Sequence, residues 1–225
     1  MSLNLRVSWK KIVKWSIWGI LGLLLLIYIV KVLTYENWYY NSKEGSERAA
    51  ATSSRSDLDE TQPTDTEVAE YTVAPDRPRY LTIEKLGVTK ARILPVGSEN
   101  GEMGTPNNIF DVGWYTGSGK PGQGKTMIID GHNGGPHVLG VFKALPSLAT
   151  GDIIQVERGD GQMFRYKVVE NKSVPLAEAD AYMHVAAISP ETGKESVTLI
   201  SCTGDWSQAQ GTYLSRQFTR ALLEP

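Results

Sequence analysis

Residues 151–171 read GDIIQVERGDGQMFRYKVVEN, and this stretch carries the clearest sign of the fold. Apolar and polar side chains alternate along it, as at Phe164, Tyr166 and Val168. A period of two is typical of a β-strand that buries one face. GDGQ (159–162) has the glycines of a tight turn between two such strands. The stretch therefore predicts a β-hairpin.

Similar short apolar segments, separated by Gly and Pro, recur through residues 76–225. Seven of them are predicted as strands: Tyr80–Ile83, Ala91–Leu94, Thr126–Asp130, Asp152–Arg158, Gln162–Asn171, Ser196–Cys202 and Arg216–Leu223. Only short helices are predicted, near Val141–Leu145 and Ala177–Tyr182, which disfavours a doubly wound parallel sheet. About eight short strands in one domain favour a closed β-barrel, which also leaves no exposed strand edge.

Composition and charge narrow the class of function. The 225 residues include 23 Lys+Arg, 25 Asp+Glu and a single Cys, and 41% are hydrophobic, which is enough for a packed core. One Cys excludes an internal disulfide and a cysteine-based structural zinc site. Residues 1–35 hold five basic residues and no acidic one, so the rest of the chain is acidic. This distribution disfavours nucleic-acid binding.

The single cysteine, Cys202, ends the apolar strand VTLISC and precedes a polar loop. Such a cysteine is buried and inert, joined to another chain, or a functional thiol, and its place at a strand end favours function. A thiol attacks as the thiolate and needs a base or a cation nearby. His132 ends the strand TMIID and is the candidate base, whereas His137 and His184 are interpreted as exposed or structural. His132 and His137 lack a third ligand for a metal site.

An acyl transfer also needs a donor for the developing oxyanion. Arg216 begins the strand after the Cys202 loop and is the candidate. Arg220 is an alternative, because positions 216 and 220 share one face of a strand.

These residues occur in segments that resemble the sortases, the cysteine transpeptidases of Gram-positive bacteria. YLTIEKLGVTKARI (80–93) resembles the first strand pair, and DVGWY (111–115) with KPGQGKTMIIDGHNGG (120–135) resembles the stretch that ends in the catalytic histidine. GVFKALPSLATGDIIQV (140–156) is similar to the family pattern FxxLxxLxxGDxIxV, and VTLISC is similar to the signature TLxTC. The order His, Cys, Arg, each at a strand end, makes the resemblance specific.

Two residues depart from the family pattern. Ser201 replaces the second threonine of the signature and keeps its hydroxyl, while Asp130 stands before Gly-His where the family usually has a small residue. The Asp130 carboxylate is interpreted either as a neighbour of His132 or as pointing outward. The VGWY and PGQG pieces resemble sortase classes E and F.

The resemblance implies an eight-stranded β-barrel with few short helices and a site in a groove at the strand ends. Cys202 would attack the threonine carbonyl of an LPxTG-like signal, Arg216 would hold the oxyanion, and His132 would carry the proton. The acceptor would be an amine of a peptidoglycan precursor or a pilin lysine. Substrate contacts are expected from Thr198, Ser201, Thr203 and Trp206. No cofactor or metal is implied.

The N-terminal region predicts a membrane anchor. Trp15–Val30 carries no charge, and Ile12–Tyr35, with aromatic residues at both ends, is long enough to span a bilayer. Four cations before Trp15, from Arg6 to Lys14, place the N-terminus in the cytoplasm and the rest of the chain outside. A cleaved signal peptide is disfavoured because no small-residue cleavage site follows the apolar run closely.

The predicted organisation is a cytoplasmic segment (1–11), a transmembrane signal anchor (12–35), an extracytoplasmic linker (36–75) and a catalytic domain (76–225). The linker is predicted to be disordered, because Asn41–Pro75 has almost no large apolar residue to offset the entropy of ordering.

Two other functions remain as alternatives. Another cell-wall cysteine acyltransferase, of the L,D-transpeptidase type, also places His before Cys, but its S-x-G-C-x-R setting differs from ISCTGD here. A membrane-tethered binding module would keep Cys202 buried and inert, so accessibility of the thiol separates it from an enzyme.

Overall fold

The computed structural model describes residues 57–99 and 102–225, together with Leu25. The predicted cytoplasmic segment, the predicted anchor apart from Leu25, and the linker up to residue 56 lie outside the described residues. In the part of the chain that is described, no helix is long and apolar enough to cross a membrane.

Ten strands and two α-helices make up the described part. The strands are β1 (Pro78–Ile83), β2 (Val88–Val96), β3 (Ser98–Glu99), β4 (Glu102–Met103), β5 (Val112–Tyr115), β6 (Thr126–Gly131), β7 (Ile153–Arg158), β8 (Met163–Pro175), β9 (Ser196–Ser207) and β10 (Thr212–Leu223). The helices are α1 (Asp65–Glu70) and α2 (Leu176–Ala186), with 3₁₀ turns at Glu84–Leu86 and Leu145–Ser147.

Eight strands close into a barrel in the order β1-β2-β5-β6-β9-β10-β8-β7, which confirms the predicted barrel. The β2–β5 and β6–β9 pairs are parallel, and the other pairs are antiparallel. Strands β3 and β4 form a separate small hairpin. All seven predicted strands lie in the barrel. The eighth, β5, was not predicted because its four residues are too few to show alternation.

The barrel strands bury apolar side chains on both faces. Met127, Ile129 and Leu199 are fully buried in the interior cluster. Ile128 and Ile200, at alternating positions of the same strands, belong to a second cluster that includes Ala179 and Ala186 of α2. Because successive side chains of a strand point to opposite faces, the second cluster marks the outer face of β6, β9 and β10.

The two helix predictions have different outcomes. Helix α2 covers the predicted Ala177–Tyr182 and extends it at both ends. The prediction near Val141–Leu145 was wrong: turns lead into the short 3₁₀ turn at Leu145–Ser147. Pro146 lies in the first turn of this 3₁₀ segment, where a missing backbone N–H leaves no hydrogen bond unmade.

The prediction of disorder was wrong for residues 57–75, here called the strap. Helix α1 of the strap begins with a capping box between Thr64 and Glu67. The Tyr71 hydroxyl donates to the Ile93 carbonyl of β2 at 2.5 Å, and Arg79 Nε donates to the Tyr71 carbonyl at 2.8 Å. The strap is ordered by hydrogen bonds to distant parts of the barrel, which its scarcity of apolar residues did not reveal.

Candidate active site

Three neighbouring strands bring His132, Cys202 and Arg216 into one row. Cys202 of β9 pairs directly with Arg216 of β10. On the other side of β9, Ile200 pairs with Asp130 of β6, and both Cys202 and His132 lie two residues further along the chain. Paired side chains and side chains two residues apart share a face. Cys202 and Arg216 therefore occupy adjacent positions on the outer face of the barrel, and His132 directly follows the neighbouring strand β6. These three residues are here called the catalytic row.

Hydrogen bonds fix His132 from two sides. Its ring Nε2 lies 2.7 Å from the carbonyl oxygen of Pro106. A carbonyl oxygen only accepts, so Nε2 carries a hydrogen, and the neutral ring then has its basic lone pair on Nδ1. The main-chain oxygen of His132 accepts from the Phe142 amide at 3.0 Å. A Cβ at Gly140 would lie 2.4 Å from this oxygen, so the turn requires glycine there.

Cys202 is partly exposed at the level where β9 passes out of the apolar part of the barrel. A residue that is partly exposed differs from the fully buried cysteine expected of a binding module. A cysteine becomes a nucleophile when positive neighbours stabilise its thiolate. The ring of His132 and the guanidinium of Arg216 stand on either side of Cys202 in the row and can supply that charge.

The two candidate arginines have different surroundings. Arg216 donates from Nη1 to the carbonyls of Tyr213 and Ser215 at 3.0 and 3.1 Å, and from Nη2 to Thr212 Oγ1 at 3.2 Å. These bonds hold its guanidinium against the β10 residues that lead from the hairpin turn to Arg216, the residue paired with Cys202.

Arg220 is buried and pairs with Thr198 of β9, four residues before Cys202. Its guanidinium donates to Glu170 Oε2 at 2.7 Å and to the carbonyl of Ile188 at 2.7 Å. These bonds tie β8 and the segment after α2 together, so the geometry favours Arg216 as the residue of the active site.

The structure corrects two of the predicted substrate contacts. Thr198 is fully buried and donates its hydroxyl to the Ala186 carbonyl at 2.7 Å. Ser201 is also buried and donates to the Gly131 carbonyl at 2.8 Å, which ties the end of β6 to β9. Both hydroxyls therefore stabilise the fold rather than face a substrate. The sequence did not show this, because position on a strand does not reveal which face is covered.

The other two predicted contacts lie further along the β9–β10 hairpin. Thr203 is half-buried next to Cys202, and Trp206 is exposed. The Trp206 ring meets the Tyr213 ring edge to face, with centroids 5.3 Å apart. A role of Thr203 and Trp206 in substrate binding stays a prediction.

Asp130 lies on the outer face two residues before His132 and is buried. Among the described residues, its Oδ1 has no hydrogen-bond partner. Burial raises the pKa of this carboxyl to about 7, and the neighbouring Thr105 hydroxyl and Gly113 amide lower it only in part. A Cβ at Gly113 would lie 2.3 Å from Oδ1, so the carboxyl packs against the backbone of β5. The Asp130 carboxyl, although it starts from the outer face of β6, is thus covered by neighbouring protein and does not face solvent.

His137 and His184 are exposed, in the loop after His132 and near the end of α2, and neither lies in the catalytic row. Over residues 57–99 and 102–225, no three His, Cys, Asp or Glu side chains are arranged to hold a metal ion. The sequence did not point to Pro106, whose carbonyl meets His132, because a main-chain contact between distant segments leaves no residue-type pattern.

Comparison with known proteins agrees with the barrel fold. The family model described as Sortase domain matches residues 81–224, more than half of the chain. Sortase C of Streptococcus pneumoniae is 21% identical, with 81% of this chain and 88% of that chain covered and a TM-score of 0.51. A pilus-related sortase C of Group B Streptococcus is 18% identical, with 83% and 89% covered and a TM-score of 0.50. At these identities the two structures are similar in fold alone. No curated protein matches the chain.

Proposed function

The chain belongs to the sortase family of cysteine transpeptidases, which process sorting signals, and we propose that Cys202, His132 and Arg216 carry the reaction. The observation that supports this assignment is the catalytic row, in which Cys202 has a histidine on one neighbouring strand and an arginine on the other. The L,D-transpeptidase alternative has no comparable support.

The first half of the reaction cleaves a protein at an LPxTG-like signal. The Cys202 thiolate attacks the threonine carbonyl, and Arg216 stabilises the oxyanion that forms. Protonated His132 gives its proton to the leaving glycine amine as the carbon–nitrogen bond breaks. The products are a thioester on Cys202 and a peptide that begins with glycine.

The second half transfers the acyl group to an amine. Neutral His132 takes a proton from the incoming amine, which attacks the thioester carbonyl. An amide bond forms, the carbon–sulfur bond breaks, and the thiolate and imidazolium are restored. The acceptor is an amine of a peptidoglycan precursor or a lysine of a pilin, and the substrates are surface proteins or pilins.

A location at the membrane fits these substrates. The apolar segment 12–35 would anchor the chain in the plasma membrane, with residues 1–11 in the cytoplasm and the catalytic domain outside. The excess of basic residues before the segment supports this orientation. The anchor would keep the site near proteins whose signals emerge from the same membrane.

The test uses the full chain in detergent with a library of sorting-signal peptides and candidate amines, followed by mass spectrometry. We expect an acyl adduct on Cys202, cleavage after threonine and an amide product with one class of amine. Cys202→Ala should abolish all three while leaving the circular dichroism spectrum unchanged. Turnover that survives Cys202→Ala, or cleavage at another bond of the signal, would contradict the proposal.

A further inference from the structure

The strap contacts both loops that flank His132. One is the proline loop (residues 104–109), which supplies the Pro106 carbonyl to the His132 ring. The other is the glycine loop (residues 133–140), which follows His132 directly. The contacts come from two adjacent acidic residues of the strap, Asp59 and Glu60.

Glu60 binds the glycine loop through main-chain hydrogen bonds. Its Oε1 accepts from the amides of His137 and Val138 at 2.8 and 2.9 Å. A Cβ at Gly135 would lie 2.2 Å from the same oxygen, so the loop wraps closely around the carboxylate. Hydrogen bonds to a charged acceptor are stronger than neutral ones. One side chain therefore holds two consecutive amides of the glycine loop.

Asp59 binds the proline loop. Its amide donates to the Asn107 carbonyl at 3.0 Å, and its carbonyl accepts from the Ile109 amide at 3.0 Å. Asn108 Nδ2 donates to Asp59 Oδ2 at 2.9 Å and to the Thr61 carbonyl at 2.8 Å. The side-chain amide of Asn108 lowers the pKa of the Asp59 carboxyl below its ordinary value, because the hydrogen bond favours the ionised form.

The two loops are also joined to each other and to His132. The Val141 amide, just after the glycine loop, donates to the Ile109 carbonyl at 2.9 Å. Gly140 N–H donates to the Asn133 carbonyl at 2.8 Å, closing the glycine loop against the residue next to His132. A displacement of either loop would therefore change the position of the His132 ring or of its Pro106 partner.

We propose that Glu60 is a positioning residue that, through the glycine loop, fixes the His132 imidazole for proton exchange with Cys202. The proposal rests on the proposed function, in which His132 is the proton carrier. It also implies that the catalytic domain needs residues before residue 81, where the match to the family begins. Residues 59 and 60 then belong to the machinery that aligns the catalytic row.

The test compares the full chain with Glu60→Ala, Glu60→Gln and Glu70→Ala. Glu70 is an exposed residue of α1 in the same strap and serves as the matched control. The first readout is the pH dependence of Cys202 alkylation by iodoacetamide, which needs no peptide substrate. We expect Glu60→Ala to shift the alkylation midpoint to higher pH and to slow alkylation about tenfold near neutral pH, because a displaced imidazole no longer stabilises the thiolate.

The second readout is turnover of a sorting-signal peptide. We expect Glu60→Ala to lower kcat about tenfold with KM within about twofold, since the position of the His132 imidazole changes and the residues that bind the peptide do not. Glu60→Gln keeps an acceptor oxygen for the two amides, so both readouts should stay within about threefold of the parent. Glu70→Ala should match the parent in both.

Three results would overturn the proposal: alkylation and kcat of Glu60→Ala equal to those of Glu70→Ala, an effect on KM alone, or equal losses in Glu60→Ala and Glu60→Gln. If Glu60→Ala does not fold, Glu60→Asp replaces it, because the shorter side chain withdraws the carboxylate from the two amides of the glycine loop and should raise the alkylation midpoint in the same direction. An unchanged midpoint in that variant would also contradict the proposal. A parent that is alkylated normally but cleaves no sorting peptide would instead contradict the proposed function.

Discussion

Cys202 and Arg216 are directly opposed in the antiparallel ladder of β9 and β10. Their side chains therefore start from the same face of the sheet at neighbouring positions. Arg220 lies on the same face but opposite Thr198, four residues or two strand repeats away, where its guanidinium donates to Glu170. The two arginines of one strand thus have separable roles.

Replacement of Arg216 should affect the reaction rather than the fold. We expect Arg216→Ala to lower kcat by a factor of about 10²–10³, the loss typical of a removed oxyanion donor. Its free energy of unfolding should change little, because its hydrogen-bond acceptors are half-buried groups of a hairpin open to water. Steady-state kinetics with a sorting-signal peptide and urea denaturation of the same preparation measure the two effects.

Arg220→Ala should give the opposite result. Its removal leaves Glu170 without its cation and the Ile188 carbonyl without its donor, which should cost about 2–4 kcal/mol of unfolding free energy. Turnover of the folded fraction should stay near that of the parent. A large kcat loss in Arg220→Ala, with Arg216→Ala active, would show that the oxyanion donor was assigned to the wrong arginine.

The three histidines provide a second internal comparison. His132→Ala should lower turnover by a factor of about 10²–10⁴, the usual contribution of a general acid and base. His137→Ala and His184→Ala should have little effect, because both side chains are exposed and outside the catalytic row. Peptide cleavage assays of the three variants make the comparison, and equal losses among them would refute the assignment of His132.

The strands that the sequence predicted are those long enough to alternate, such as Phe164, Tyr166 and Val168 of β8. Strand β5 was not predicted, because four residues carry too little periodicity. The order of the strap was not predicted either, because its stabilising contacts are hydrogen bonds to distant segments.

Some residues of the candidate site could likewise be identified from the sequence, and others required the structure. Cys202 and His132 were identified from their types and their places at strand ends. Choosing Arg216 over Arg220, and recognising that Thr198 and Ser201 are buried, required the register of β9 with β10 and the cover of α2. Register depends on pairing between distant residues, which a single sequence does not display.

The glycine-rich segment before β6 should depend on a buried carboxylate. Glu195 accepts from the amides of Gly122 and Gly124 at 2.9 and 2.7 Å, and from the Tyr166 hydroxyl at 2.7 Å. We expect Glu195→Ala to lower the unfolding free energy by about 3 kcal/mol, because one buried hydroxyl and two part-buried amides lose their acceptor. Urea denaturation measures this, with the exposed Glu178→Ala as the control. Equal midpoints for the two variants would contradict it.

Asp130 should make the stability of the fold depend on pH. Its pKa is raised by burial from 3.8 to about 7, so the folded state holds this proton to a higher pH than the unfolded chain does. Between about pH 4 and pH 7 the folded state therefore binds more protons, and the free energy of unfolding falls as pH rises, levelling off above the folded pKa. The full loss is on the order of 4 kcal/mol, because each tenfold change in proton affinity corresponds to about 1.4 kcal/mol.

Asp130→Asn removes this titration while keeping nearly the same volume, so its unfolding free energy should fall less over that interval than that of the parent. Urea denaturation of both proteins at about pH 5 and pH 8 measures the difference, and titrations shared by both proteins cancel in the comparison. Asp180→Asn, an exposed substitution on α2, should follow the parent. If Asp130→Asn shows the same pH dependence as the parent, the carboxyl is not held in its neutral form by burial beneath His132.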